Sequence, residues 1–230
     1  MNQQKCIDLT MILKEVQDFD SLEFKQSLNI YKSSFPPNET RPTENVIRML
    51  NEDRDYHLFV ALDSKIVVGM SLLYVFRSLN IAFLDYIAVA PNHQRMGVGK
   101  NLFRFMLQWC SIQHYSLIGL LMEIQKEDVA DIHEKLKRMN RIRFYSRLGS
   151  KVLDGVKYML PSQDNSKPEE MYLMIAPLTE LHSLAKSSVL EYVSMIYSTI
   201  YQFNDNNNNN ANLLNKTFSG LPKTIALRDV

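Results

Sequence analysis

The 230-residue sequence holds only two cysteines, Cys6 and Cys110, far apart in the chain. Two thiols cannot build the disulfide framework of a small secreted scaffold, and no Cys/His spacing matches a zinc site, so neither a covalent staple nor a metal is expected. Long apolar runs are missing as well. The most extended, such as IVVGMSLLYVF at 66–76, fall well short of the roughly 18 to 20 residues that a membrane-spanning helix needs. The opening MNQQKCIDLT does not read as a signal peptide. Charge of one sign is absent too: 26 Lys and Arg against 25 Asp and Glu leave a net charge of +1, which gives no general pull toward nucleic acid or a membrane surface. These absences leave a soluble protein expected in the cytoplasm. At 46% hydrophobic and 22% charged residues, it has the composition of an ordinary globular chain, long enough for one packed domain and an appendage.

What is present is periodic. SLEFKQSLNIYKSSF at 21–35 sets Leu22, Phe24, Leu28 and Tyr31 at near-helical spacing, and TENVIRML at 43–50 opens with Thr43 as a cap, which predicts two short helices. Between them FPPNETRP, with prolines at 36, 37 and 42, forbids a continuous helix and makes a lip-like loop. HLFVAL, KIVVGMSLLYVF and NIAFLDYIAV then predict three consecutive antiparallel strands. A helix follows with Leu102, Phe103, Met106, Trp109 and Cys110 on one face, then SLIGLLMEI at 116–124 as a strand buried on both faces. A second helix is expected from about Asp128, with Val129, Ile132, Leu136, Met139 and Ile142 in register, ending near Gly149. KVLDGVKYML and EEMYLMIAPL read as two late strands joined by PSQDNSKP. The fold class is therefore α/β, a mixed, mostly antiparallel sheet flanked by helices. The expected layout is a main domain over 1–177, an added helix over 178–203 striped by Leu181, Ala185, Val189, Val193, Ile196 and Ile200, and an Asn-rich, mobile tail over 204–230.

One junction carries chemistry. QRMGVGK at 94–100 lies between a predicted strand and a predicted helix. Glycine lets the backbone approach a ligand, and the first-turn N–H groups of a helix favour an anion, so the junction reads as a phosphate cradle. The Walker A pattern fails there, since Gln94 and Asn101 stand where Gly and Ser or Thr belong, and the dinucleotide fingerprint fails at Leu102.

YIAVAPNHQRMGVGKNLF, followed some forty residues later by RFYSRLGSKV, resembles the GNAT superfamily of acyl-CoA-dependent N-acetyltransferases. Gln94, Gly97 and Gly99 match its Q/R-x-x-G-x-G/A pattern, and Phe144, Tyr145 and Gly149 its later FY signature, the likeness covering roughly residues 7–176. The resemblance implies acetyl-CoA as co-substrate. Its pyrophosphate would lie on Gln94, Arg95, Met96, Gly97, Val98, Gly99 and Lys100, and its pantetheine arm would pair with the backbone of Ile87 and Val89. The same resemblance makes Tyr145 the acid that protonates the leaving thiolate; the plainer alternative is a packed tyrosine with a satisfied hydroxyl.

Amine acetylation also needs a base, because an ammonium has no lone pair with which to attack. Asp85, two residues before Ile87 and so on the same strand face, is one candidate; Glu123, an acid in an apolar run, is the other, unless it merely pairs with a buried basic side chain. In the proline-rich loop, Glu39 and Arg41 are candidates for meeting an amine and a carboxylate, or are simply solvated charges. Cys110 reads as a small buried hydrophobe rather than a nucleophile. The basic run KLKRMNRIR at 135–143 either grips a 3′-phosphate or forms a solvated helix face. Departures from the family pattern are Arg138 in place of a common asparagine and Ser150 in place of an aromatic. The expected partner is a small-molecule or protein amine, with the added helix open to covering the acceptor groove or holding a homodimer. The competing reading is a noncatalytic acyl-CoA sensor or interaction module.

Overall fold

A computed structural model describes residues 11–36, 39–113, 116–160, 168–202 and 208–230. Cys6, Pro37, most of the PSQDNSKP loop and the start of the Asn-rich run lie outside the described residues. The chain forms two compact units: the first takes the chain as far as Leu72 together with Tyr86–Met106, and the second takes Leu73–Asp85 and everything from Leu107 onward.

In the first unit, β1 (Ile12–Val16) pairs antiparallel with β2 (Tyr56–Asp63), Ile12 facing Leu62 and Val16 facing Leu58. No reading of the sequence above anticipates β1. Helix α1 (Leu22–Ser34) starts at Ser21, whose Oγ accepts from the Phe24 N–H at 3.2 Å, satisfying one of the orphan donors of the first turn. Helix α2 (Thr43–Glu52) starts differently from the expectation: Pro42 is its N-cap and no side chain caps it, so Thr43 is the first helical residue. Strand β3 (Ile66–Phe76) follows β2 through Ser64 and Lys65, both with positive φ, +50° and +72°. That is the backbone of a two-residue hairpin turn whose twist matches its strands, here made without glycine. Strand β4 (Ile81–Val89) and helix α3 (Val98–Ser111) complete the run, each shared between the units. Leu58, Phe59, Val60 and Ala61 are all buried, and Val98 packs on Ala61 and Val68.

In the second unit, β4 pairs parallel with β5 (Gly119–Gln125), and β5 pairs antiparallel along its whole length with β8 (Glu169–Pro177). Helix α4 (Ile132–Ser146) lies between them in sequence and packs on β5. Its N-cap is Asp131, which accepts from the Glu134 N–H at 2.7 Å, and it gives way to Gly149 at φ +88°. The expected apolar stripe is only partly a buried face: Ile142 is buried, Ile132 and Leu136 are exposed, and Val129 precedes the helix.

KVLDGVKYML is two strands rather than one, β6 (Lys151–Leu153) and β7 (Tyr158–Leu160), both antiparallel to β8. Gly155, at φ +74°, lies in the turn that separates them.

The C-terminal part also departs from expectation. The single helix over 178–203 is instead a short strand, β9 (Ser183–Ala185), then α5 (Lys186–Met195) running into a π-helical turn (Ile196–Ile200). The stripe that predicted it is real, since Val189, Val193, Ile196 and Ile200 are fully buried. Where an Asn-rich tail was expected, the chain forms α6 (Asn208–Phe218), which starts within the Asn-rich run, and β10 (Thr224–Arg228). Strand β10 sits between β6 and β9 and is antiparallel to both, giving the order β3-β4-β5-β8-β6-β10-β9, with β7 branching from β8. Composition misled here because asparagine counts against burial on average, while Leu213, Phe218 and Ile225, each buried, supply enough apolar surface to dock the segment.

Ile225 is 0% exposed. Ile225→Ala is therefore expected to lower unfolding free energy by about 2–5 kcal/mol in urea denaturation. An unchanged midpoint would place β10 outside the cooperative fold.

Candidate functional site

The glycine junction has the geometry that its sequence suggests. After Val89 the chain makes a single 3-10 turn at Pro91–His93, and then Arg95 and Gly97 take positive φ, +64° and +84°. Among the described residues nothing lies within 4 Å of where a Cβ on Gly97 would stand, so glycine is needed there for its backbone angle and not for lack of room. The Gly97 carbonyl accepts from the Asn101 N–H at 3.0 Å, which makes Gly97 the N-cap of α3. The N–H groups of Val98, Gly99 and Lys100 therefore have no acceptor within the helix, at the positive end of a 14-residue helix dipole. Gln94, Arg95, Met96 and Lys100 are exposed around this turn, and Val98 anchors it, 2% exposed. The Gln94 side-chain amide donates to the Val89 carbonyl at 3.3 Å, and the Ala90 N–H donates to the Val68 carbonyl at 2.9 Å. Ile87 and Val89 are thus the final turns of a strand held against β3.

A second glycine sets the height of this cradle, and sequence reasoning missed it. A Cβ on Gly69 would meet Val98 Cγ1 at 3.0 Å and the Ala88 carbonyl oxygen at 3.3 Å. A side chain at Gly69 would pack more tightly than ordinary contact, so its absence leaves room for the first turn of α3 beside β3. The available signal was a lone glycine inside a strand pattern, which marks close backbone approach.

The two candidate bases occupy corresponding positions on β4 and β5, just past the end of their ladder. The β4–β5 ladder pairs Ala82 with Leu120, Phe83 with Leu121 and Leu84 with Met122, and goes no further, although both strands continue. Asp85 and Glu123 are the next residues on each strand, one on either side of the point where pairing stops. Glu123, for which one reading was a buried basic partner, is met by two phenols. Its Oε1 accepts from the Tyr158 hydroxyl and its Oε2 from the Tyr201 hydroxyl. Neither tyrosine, nor Tyr197 beside them, was foreseen.

Tyr145 lies in the last turn of α4, 5% exposed, its ring edge-on to Phe144 at 5.0 Å. Burial pushes its phenol up to about 12, with Arg141 pulling the other way. Its backbone carbonyl closes the helix by accepting from the Leu148 and Ser150 N–H groups.

The loop residues part company. Glu39 is exposed, and its carbonyl accepts from the Tyr86 hydroxyl at 3.0 Å. Arg41 is not a solvated loop charge: it is 5% exposed, donates to the Tyr56 hydroxyl at 2.7 Å and lies over the rings of Tyr86 and Tyr56 at 5.4 and 5.9 Å. Its carbonyl accepts from the Tyr31 hydroxyl at 3.0 Å. Arg41 therefore fastens the proline-rich loop to an aromatic cage. In the basic run, Arg138 donates to Glu134, Glu169 and the Lys126 carbonyl, and Arg141 to Gln125, so these two serve α4 packing. Cys110 is buried, and burial raises its thiol to about 12, as befits a small hydrophobe. Among the described residues no group of three or more His, Cys, Asp or Glu is placed to hold a metal, and no helix is long and apolar enough to cross a membrane.

Residues 24–149, which carry the cradle, both carboxylates and Tyr145, match the family described as Acetyltransferase (GNAT) family. The chain belongs to that family. The GNAT fold is found again in solved structures at low identity. A GNAT-family acetyltransferase from Bacteroides thetaiotaomicron has 18% identity and a TM-score of 0.69, over 84% of this chain and 99% of that one. The ribosomal-protein-S18-alanine N-acetyltransferase from Escherichia coli has 18% identity and a TM-score of 0.53, over 74% and 96%. An aminoglycoside 6′-N-acetyltransferase solved with coenzyme A has 16% identity and a TM-score of 0.57, over 74% and 98%. No curated protein matches the chain by sequence. The GNAT match ends at Gly149, so Tyr158, Tyr197 and Tyr201 lie beyond it.

Two results are expected from this geometry. Gly97→Ala should destabilise the fold by roughly 1–2 kcal/mol, read by chemical denaturation, because φ +84° strains any residue that carries a Cβ. Cys110 should resist alkylation by iodoacetamide at pH 8 in the folded protein and react fully in urea; rapid labelling at Cys110, resolved from Cys6 by peptide mass spectrometry, would contradict its burial.

Proposed function

We propose that this chain is an N-acetyltransferase that moves an acetyl group from acetyl-CoA to a primary amine by direct attack in a ternary complex. The observation that carries the reading is the Gln94–Lys100 turn, with its two positive-φ residues, no described residue within 4 Å of a Cβ on Gly97, and first-turn amides that have no acceptor within the helix. Such a turn suits a pyrophosphate, with Arg95 and Lys100 adding charge. Acetyl-CoA supplies the activated acetyl thioester, and the backbone of Ile87 and Val89 would hold its pantetheine arm.

The remaining roles belong to side chains. Tyr145 holds a proton throughout the physiological range, because burial keeps its phenol neutral to about 12, and it would give that proton to the leaving thiolate. Asp85 or Glu123 would take the proton of the incoming ammonium, a role supported by their position where the β4–β5 ladder ends. Exposed Glu39 would help orient the acceptor; Arg41, buried in its cage, would act on it only through the loop. The acceptor is either a protein amine or a small molecule, since structures of this fold include enzymes named for a ribosomal-protein alanine and for an aminoglycoside.

Calorimetric titration should show saturable binding of acetyl-CoA and none of ATP; no binding would leave the cradle as a structural turn. With an amine acceptor, Tyr145→Phe should lower kcat by roughly 10²–10⁴-fold with acetyl-CoA affinity unchanged. Unaltered turnover would remove Tyr145 from the mechanism, and binding without turnover by any amine would favour the sensor. The raised phenol also sets a sign for stability. The unfolded chain loses this proton near pH 10 and the folded one near 12, so the contribution of Tyr145 is fully present below pH 10 and declines between about 10 and 12.

A further inference from the structure

The proline-rich loop between α1 and α2 is held by phenols from three elements. The Glu39 N–H donates to the Pro36 carbonyl at 2.9 Å, and the Glu39 carbonyl accepts from the Tyr86 hydroxyl of β4 at 3.0 Å. The same hydroxyl accepts from the Arg41 N–H at 3.3 Å, and the Arg41 carbonyl accepts from the Tyr31 hydroxyl of α1 at 3.0 Å. One phenol therefore bridges the peptide groups on either side of Thr40. Its ring is clamped as well, with the Tyr31 ring edge-on at 4.9 Å, the Phe35 ring at 5.0 Å and the Arg41 guanidinium at 5.4 Å from its centre. That guanidinium also donates to the Tyr56 hydroxyl of β2 at 2.7 Å.

Loops that close over a substrate are drawn from the least stable parts of a fold, with solvated backbone bonds and few buried contacts. This loop has the opposite character. Arg41, Tyr31 and Tyr56 are 5%, 1% and 3% exposed, and Pro36 and Pro42 restrict the backbone at its two ends. Swinging the loop outward would break both bonds of the Tyr86 hydroxyl together and take a buried guanidinium away from its ring faces.

We propose that Tyr86 is a positioning residue that holds the 39–41 loop as a fixed wall for the acceptor, in place before any amine arrives. The proposal rests on the amine-acetylation reading, in which this loop faces the acceptor. It goes beyond that reading in giving Tyr86 a role and in making acceptor choice depend on a preformed surface rather than on a closing lid. A preformed wall spares the acceptor the entropy of ordering a loop, so its loss appears in binding more than in the chemical step.

The test uses the full chain. In the protein without ligand, the Arg41 amide should exchange with deuterium roughly tenfold or more slowly than an unstructured amide, followed by NMR. An amide that exchanges at the unstructured rate until coenzyme A and an amine are added describes a lid and overturns the wall. Tyr86→Phe, which keeps the ring and loses only the hydroxyl, should speed that exchange roughly fivefold; an unchanged rate removes Tyr86 from the role. In thiol-release assays with tetraalanine, kanamycin and butylamine as acceptors, the same variant should raise the KM of the best acceptor by a similar factor, with kcat and acetyl-CoA affinity little changed. Faster exchange with an unchanged acceptor KM leaves a merely structural hydroxyl and overturns the positioning role. A protected Arg41 amide in a protein that releases thiol with none of the three keeps the wall as structure, while the acetyltransferase reading and the acceptor role fall together.

Discussion

Strand β5 is paired along its full length with β8 but with β4 only over Leu120–Met122. A parallel ladder that stops while both strands continue leaves main-chain groups turned toward something other than each other, and buried main-chain groups are seldom left without partners. The same stop sets Asp85 and Glu123 at corresponding positions on two central strands, just past the end of their ladder. Either carboxylate placed two residues earlier would stand among Phe83, Leu84, Leu120 and Leu121, all buried, where ionisation is heavily penalised. The fold tolerates the two acids because the sheet opens where they occur.

The cradle depends on a different constraint, the closeness of a helix start to a strand. Val98 has to be buried against Ala61 and Val68 for α3 to begin where it does, and Gly69 is the residue that permits it. Gly97 does the complementary work on the solvent side, turning the chain at φ +84° into the start of α3. One glycine provides space and the other provides an angle, so their replacements fail for different reasons.

Much of this was legible in the sequence. The hydrophobic period changes from two to 3.6 at the glycines, and QRMGVGK with RFYSRLGSKV pointed to the family, the cradle and Tyr145. What was not legible depends on tertiary partners. Arg41 reads as a loop charge because nothing near it in sequence announces Tyr31, Tyr56 and Tyr86 as its cage. Glu123 suggested a basic partner on general grounds, and only the fold supplies two tyrosines, 35 and 78 residues away. The tail was judged on its asparagines, although Ile225 and Leu227 alternate as strand residues do and pair with the β9 and β6 edges. Composition averages over a segment, whereas docking depends on a few apolar positions within it.

The C-terminal segment is not a loose addition, because its order is fixed at both ends of α5. Strand β9, which leads directly into α5, is zipped to β10, and the Lys186 N–H and Nζ donate to the Lys223 and Leu221 carbonyls. Strand β10 is in turn zipped to β6, covering an edge that would otherwise expose unpaired backbone. At the far end of the helix, Tyr197 and Tyr201 tie the π-turn to Met159 and Glu123. A helix held only at its start would swing a phenol through several ångströms over its length of about 15 Å; held at both ends, it presents one. Loss of β10 would therefore be felt at Glu123 through β9, α5 and the π-turn.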